Sequence, residues 1–325
     1  MRTLARGPDV QPGASSELPS DPAGTTQIVN RSRRLAGIAV AVLVLAAVGY
    51  AVYRDRHSFV DTIRRVGWWA SVASFAAGLV GVGATYPSWR QILRGLGVTL
   101  PWAAGARVFF TSQLGKYLPG SVWPVLMQME AGRARGASRR SMLAGNLISL
   151  VLSCAVGLLV ACAVLPLADA AALHRYWWVL LALPFLLALL HPRAIPALLD
   201  RGFALAHRPA LGERLSPAAT VQGVSWSLLS WLALGVQLWI LCAAVGHGGL
   251  TVLLLCVGGT ALAVAAGILF IPAPAGVGLR EVVLILVLRS VLGSGPALAV
   301  VVAARVLLIA CDLTLAALAM AIRRR

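Results

Sequence analysis

Arg107, Lys116, Arg280, Arg289 and Arg305, with Glu130, Glu281 and Asp312, stand within or beside long apolar runs of this chain. A charge at membrane depth costs about several kcal/mol unless it is paired or hydrated, so each is a candidate for function. Cations outnumber carboxylates, which favours an anionic ligand. Arginine suits this, because its planar fork holds phosphate through two hydrogen bonds where an ammonium offers only a point charge. Arg305 lies deep in its run, and Asp312 falls two turns later on the same helical face. Arg280 and Glu281 are neighbours and point different ways on a helix, so one can hold the fold while the other meets a ligand. For Arg107, Lys116 and Arg289 there is an equal alternative, in which they snorkel to the interface or pair with Glu130 and Glu281.

Other chemistry is not indicated. The chain offers no Ser/His/Asp or Cys/His arrangement, no metal-ligand spacing and no phosphate loop, so no catalytic set, metal, cofactor or ATP-driven cycle is expected. Cys154, Cys162, Cys242, Cys256 and Cys311 all sit inside apolar runs without a CxxC pair and read as small hydrophobes. Histidines such as His174 and His191 fall at the ends of runs, where interfacial placement explains them.

The elements that must position these charges follow from composition. Hydrophobic residues make up 59% of the 325 and charged residues 12%, with a mean hydropathy of +0.84, more apolar surface than a water-soluble fold hides. Spanning about 30 Å of hydrocarbon takes roughly 20 apolar residues as a helix, and continuous runs of Leu, Ala and Val supply such lengths repeatedly. We therefore expect an all-α, polytopic integral membrane protein. The formal charge of +17 comes from arginines lying mainly between the runs, where they orient the chain in the membrane rather than bind nucleic acid.

Residues 1–34 lack periodicity and are rich in Pro, Gly, Ser, Asp and Thr, which predicts a disordered cytoplasmic tail ahead of a membrane domain over 35–325. A first span is expected over Leu35 to Tyr53, an interfacial amphipathic helix over Arg54 to Gly67, and a second span from Trp68 to about Tyr86. Gly78, Gly81 and Gly83 lie in mid-span with no preceding strand, so they signal close helix packing rather than a nucleotide loop. Pro101 to Arg140 breaks the pattern at Pro119 and Gly120 and reads as a re-entrant or broken helix pair. Further runs cover Ser141 to Leu165, Tyr176 to Leu190, Val221 to Val245 and Leu250 to Ile271. A second break follows at Pro272, Pro274, Gly276 and Gly278, then a short piece to Leu292 and a last span from Pro296 to Ile322. About eight crossings result, with both termini and the loop from His191 to Thr220 in the cytoplasm.

The two breaks correspond. Pro119-Gly120 and Val122 match Ala275-Gly276 and Gly278, while Gly136 and Asn146 match Gly295 and Arg305 after a three-residue insertion. Such matched Gly/Pro interruptions in two halves of a membrane protein point to a transport site, because unwound backbone and helix ends face a cavity there.

The run Gly115-Lys-Tyr-Leu-Pro-Gly-Ser-Val-Trp-Pro, the basic turn around Gly136, and Pro272 to Glu281 resemble the membrane domain of the lysylphosphatidylglycerol synthase (flippase-like) family, over roughly Ile38 to Ile322. Ser121, Val122 and Trp123 depart from the commoner Gly-Gly and Arg pattern after the Pro-Gly. The resemblance implies a bacterial cytoplasmic-membrane protein that moves or handles phospholipids or lipid-linked glycans. It also implies no aminoacyl-transferase activity, since the soluble domain of complete synthases has no counterpart before Arg325. The partners expected are membrane lipids, chiefly anionic. Two alternatives stay open: a non-transporting partner of a cell-envelope glycosyltransferase or lipid-modifying enzyme, and an intramembrane transferase using a lipid-linked donor.

Overall fold

The computed structural model describes residues 56–117, 123–134, 136–168, 180–205, 214–269 and 278–322, with residues 174 and 207. The expected tail, the span from Leu35 to Tyr53, and Pro119, Gly120, Pro272, Pro274 and Gly276 fall outside them. The described residues form helices and no strands. We number the α-helices α1 Arg56–Gly95, α2 Trp102–Gln113, α3 Trp123–Arg133, α4 Arg139–Val164, α5 Ala182–Leu189, α6 Ala194–Leu205, α7 Pro217–Ala244, α8 Leu250–Leu269, α9 Leu279–Leu292 and α10 Ser294–Ala321. A 3-10 turn, Leu114–Tyr117, extends α2.

Local chemistry sets the boundaries. The expected junction between amphipathic helix and span is present as a break inside the 40-residue α1, at Gly67, whose φ of 63° and ψ of 170° suit glycine. Beyond it the helix runs on past Pro87 to Gly95. Residue 83, four back from Pro87, is a glycine where a Cβ would meet open space. Ser138 caps α4 by accepting from the Ser141 amide at 3.0 Å, and Ser216 caps α7 by accepting from Ala219 at 3.2 Å, with Pro217 in the first turn.

An inverted repeat organises the bundle. Ser74 donates to the Gln237 carbonyl at 2.9 Å, Ser230 to the Gly81 carbonyl at 2.8 Å, and Ser88 to the Gly223 carbonyl at 2.9 Å. As the number rises along α1 it falls along α7, so the two helices are antiparallel. The middle pair is separated by 149 residues. The same step carries Ser74 to Gly223, Ser88 to Gln237, and the left-handed turn glycine after α1, Gly97 (φ 80°), to the one after α7, Gly246 (φ 96°). A pseudo-two-fold axis therefore passes through the seam at Gly81 and Ser230. The seam is close at Gly81, where a Cβ would lie 2.7 Å from Leu234 Cγ; Gly78 packs closest on Cys311 of α10, and Gly83, also expected in close packing, faces open space.

The other elements obey the same axis. Helix α10 packs along α1 in the same direction, with Cys311 against Phe75 and Leu315 and Leu318 near Tyr86, and α4 packs along α7 likewise, with Leu152 near Gly223 and Gly157 against Trp231. Helices α2 and α3 in the first half correspond to α8 and α9 in the second. The turn glycines that precede α4 and α10 are Gly136 (φ 82°) and Gly293 (φ 80°). That spacing, 157 residues (293 less 136), shifts the register expected from sequence by two. Gly293, not Gly295, is the counterpart of Gly136, and Arg305 falls opposite Ile148, not Asn146.

Each half thus has a long helix, a pair that enters and leaves on one side, and a returning long helix. Gly95 at the end of α1 meets Leu215 and Ala219 at the start of α7, Gly145 in α4 meets Leu93, and Arg107 in α2 reaches the end of α10. On the opposite side, Val66, Leu241, Val252, Leu292 and Ala297 share one buried cluster. Arg94, Arg133, Arg139 and Arg140 all lie by the former side, and the latter carries the turns at Gly246 and Gly293 with Arg64 and Arg65 at the start of α1 and Arg289 at the end of α9.

Among the described residues five helices are long and apolar enough to cross a bilayer, or six if α5 and α6, bent by 88°, make one span. The 14 residues of α9 rise only about 21 Å, short of a full crossing. With α8 it forms the second in-and-out pair.

Candidate functional site

The inner ends of both pairs meet the middle of α10. Lys116 and Tyr117, in the 3-10 turn where α2 ends, reach the same oxygen of Asp312: the ammonium lies 2.7 Å away and the phenol donates a hydrogen bond. Asp312 itself is 4% exposed. From the other half, α9 starts at Gly278, whose φ of 95° and ψ of −56° require glycine. Its amide donates to Glu281 Oε2 at 2.7 Å, so Glu281 caps its own helix, and Glu281 Oε1 lies 3.5 Å from Arg305 Nε. Arg305 and Asp312 share one face of α10 two turns apart, as their spacing requires, but each takes a partner from a different half of the protein.

Arg280 differs from these. Its side chain lies on α8 against Gly267, where a Cβ would come within 2.6 Å of the guanidinium Nε. That Nε is buried without a hydrogen-bond partner, and no described carboxylate lies within ion-pair distance of Arg280. Arg280 and Arg305 are close enough to repel each other, and both act electrostatically on Lys116. A cavity of about 50 Å³ lies between them, lined by Gln237, Thr260, Arg280, Glu281 and Arg305 among aliphatic side chains. The Thr260 hydroxyl is also buried without a partner, whereas Gln237 is tied down, its amide donating to Ser74 at 3.1 Å. A larger cavity of about 790 Å³, at His191, Arg193, Asp200 and Arg214, shares no lining residue with this cluster, and its arginines are exposed.

The structure therefore brings together Lys116, Arg280, Glu281, Arg305 and Asp312. Glu130 is not among them: it is 60% exposed near the end of α3, where it pairs with Arg133 at 3.8 Å and with Arg139. The helix carries it to the Arg-rich surface, where local cations satisfy it. Arg107 closes the last carbonyls of α10, donating to Ala319 and Met320 at 3.4 Å and to Ile322, a placement that favours a cation at a helix C-terminus. Arg289 is exposed in the last turn of α9. Of the predicted break residues, Gly278 alone is described. Sequence reasoning passed over Tyr117, Gln237, Thr260 and Gly267. A lone amide inside the apolar run from Val221 to Val245 was the available signal for Gln237.

The family model for the lysylphosphatidylglycerol synthase TM region matches residues 34–316. The chain belongs to this family. The match covers every helix that carries the charge cluster and both inverted halves, so the cluster is part of the lysylphosphatidylglycerol synthase TM region itself. No curated protein sequence matches the chain.

Proposed function

We propose that this protein moves an anionic lipid across the cytoplasmic membrane, its headgroup passing the charges gathered at the middle of α10, with both termini in the cytoplasm. The observation that carries the reading is the meeting, at the middle of α10 between two inverted halves, of Lys116, Arg280 and Arg305 with, among the described residues, Glu281 and Asp312. Buried charge is costly in a bilayer and is retained where it serves a path. Inverted repeats with interrupted helices hold their substrate sites at such a point, and membership in a family named for a lipid synthase's membrane region supports a lipid as cargo. Arginine's fork supplies the phosphate recognition. At about 50 Å³ the cavity is shut to a headgroup, so passage requires the two pairs to part from α10.

That closed cavity also supports a second reading, a non-transporting partner that anchors a cell-envelope glycosyltransferase or lipid-modifying enzyme. Reconstitution of the purified chain into vesicles with fluorescent lipids of differing headgroups separates the two. Translocation of anionic lipid by the chain alone supports transport. An inert protein that co-purifies in fixed ratio with an enzyme supports the anchor.

A further inference from the structure

We propose that the chain's own first apolar run, Leu35 to Tyr53, docks antiparallel on the face of α10 formed by Val306, Leu313, Ala317 and Met320, in the place that α5 takes on α4. The docking holds whether or not the protein moves lipid.

The inverted repeat carries the argument. The step of 157 residues that takes Gly136 to Gly293 takes Val156 of α4 to Leu313 of α10, and Val160 to Ala317. What covers the two sets differs. Val156, 1% exposed, and Val160 are buried in a cluster with Ile195 of α6, against which Leu189 of α5 and Leu199 of α6 pack. Leu313 is 54% exposed, and Val306, Ala317 and Met320 are exposed as well. Their spacings of seven, four and three residues put all four on one face of α10, about 100° round the helix from Arg305 and Asp312. Among the described residues, α10 thus lacks the neighbour that α4 has.

Chain order and length name the occupant. In the second half the sequence runs through α5, then α6 bent by 88° from it, then the long α7, and both α5 and α6 pack on α4. In the first half it runs from Leu35 to Tyr53, then through the amphipathic start of α1 up to Val66, the break at Gly67 and the long remainder. Val66 shares a buried cluster with Ala297 at the start of α10. The 11 residues before the break rise about 16 Å, more than the roughly 10 Å width of a helix, so they can carry the chain across the end of α10. As a helix, the 19 residues of the run rise about 28 Å, enough to return along α10 past Val306 and Leu313. The match to the family model opens at residue 34, so the run belongs to the matched region. Its Gly37, Ala41, Val44, Val48 and Ala51 recur every three or four residues, a lane of short side chains that lets Val306 and Leu313 approach closely. Docked there, the run closes the open face of the helix that holds Arg305 and Asp312, as α5 and α6 close α4.

The test is disulfide cross-linking of the full-length chain in membranes, with copper phenanthroline as oxidant. Cys154, Cys162, Cys242, Cys256 and Cys311 are first replaced by Ala, and a protease site is inserted at the exposed Gly248. A link across the cut then holds the two fragments together on a non-reducing gel. Gly37→Cys or Ala41→Cys is expected to link to Leu313→Cys, and Val44→Cys or Val48→Cys to Val306→Cys. Ala39→Cys and Ala46→Cys, on the far side of the run, should link to neither. A spin label on Leu313→Cys leaves the run itself unaltered and should be shielded from dissolved oxygen, unlike one on Phe185→Cys, at an 82% exposed position of α5. Leu313→Cys that joins two chains to each other would make a second copy the occupant. A label there as open to oxygen as at Phe185 would leave the face to lipid. Either result overturns the proposal, as does the absence of every cross-link from the run.

Discussion

Lys116 of the first half and Asp312 of the second are joined by a 2.7 Å ion pair, the point where an inverted repeat is tied across its own axis. The Tyr117 hydroxyl shares the same carboxylate oxygen. One helix, α10, thereby holds the inner ends of both in-and-out pairs, at Asp312 for one and at Arg305 for the other.

The pair is asymmetric in exposure, 31% for Lys116 against 4% for Asp312, and this sets an order of stability. Lys116→Met leaves a buried carboxylate with one phenol, whereas Asp312→Asn leaves an ammonium with a partial route to water. Lys116→Met should therefore be the more damaging, by about 3 kcal/mol relative to wild type, and the double variant should cost less than the sum. Thermal unfolding in detergent measures this, and a milder Lys116→Met would reverse the assignment.

The seam between α1 and α7 predicts matched effects at symmetry-related sites. Ser74→Ala removes the bond to the Gln237 carbonyl and the one accepted from the Gln237 amide, and Ser88→Ala removes the bond to the Gly223 carbonyl and the one shared with Ser227, at about 0.6 kcal/mol per bond. Gly81→Ala, at the axis, brings a Cβ within 3.1 Å of the Leu234 backbone nitrogen and should cost about 1–3 kcal/mol. Equal tolerance of all three in unfolding experiments would deny the close antiparallel contact.

Much of this was legible in the chain. The apolar runs announced the long helices, Gly78 and Gly81 announced close helix packing, and the depth of Arg305 and Asp312 marked the face of α10 that gathers the charges. Their partners were not legible. Two residues a helical turn or two apart share a face whatever lies opposite, and only tertiary packing sends Arg305 to Glu281 and Asp312 to Lys116. The inversion was hidden for a related reason. Helix α8 is as long and apolar as a true span, so hydropathy does not tell a helix of a returning pair from a crossing. The two-residue slip in the repeat arose because Gly293 and Gly295 match Gly136 equally well by type, and only the left-handed backbone of Gly293 distinguishes them. Glu130 misled because an acidic residue beside an apolar piece looks embedded until its arginine neighbours are placed.

Gly267→Ala offers a test of Arg280 that leaves every charge intact. The added methyl displaces the guanidinium from α8, so translocation of anionic lipid should fall about tenfold or more while expression and unfolding temperature stay near wild type. Unaltered translocation would mean that the position of Arg280 on α8 is immaterial.

Topology supplies an independent check. The ends of α1 and α10 and the starts of α4 and α7 lie on one side, which the proposed orientation puts in the cytoplasm. A reporter active only outside the cytoplasm should be silent after Arg325 and active when inserted at Gly248. Strong activity after Arg325 would invert the orientation.

The central claim, that an anionic headgroup crosses at the charges on α10, is tested most directly by headgroup-labelled phosphatidylglycerol in vesicles containing wild type, Arg305→Lys or Arg280→Lys. Both substitutions keep the charge and remove the bidentate fork. The account predicts rapid translocation by the wild type and loss of most of it in both variants, each folded to the same unfolding temperature. A wild type that leaves the lipid in place, or lysine variants that move it as fast as wild type, would contradict it.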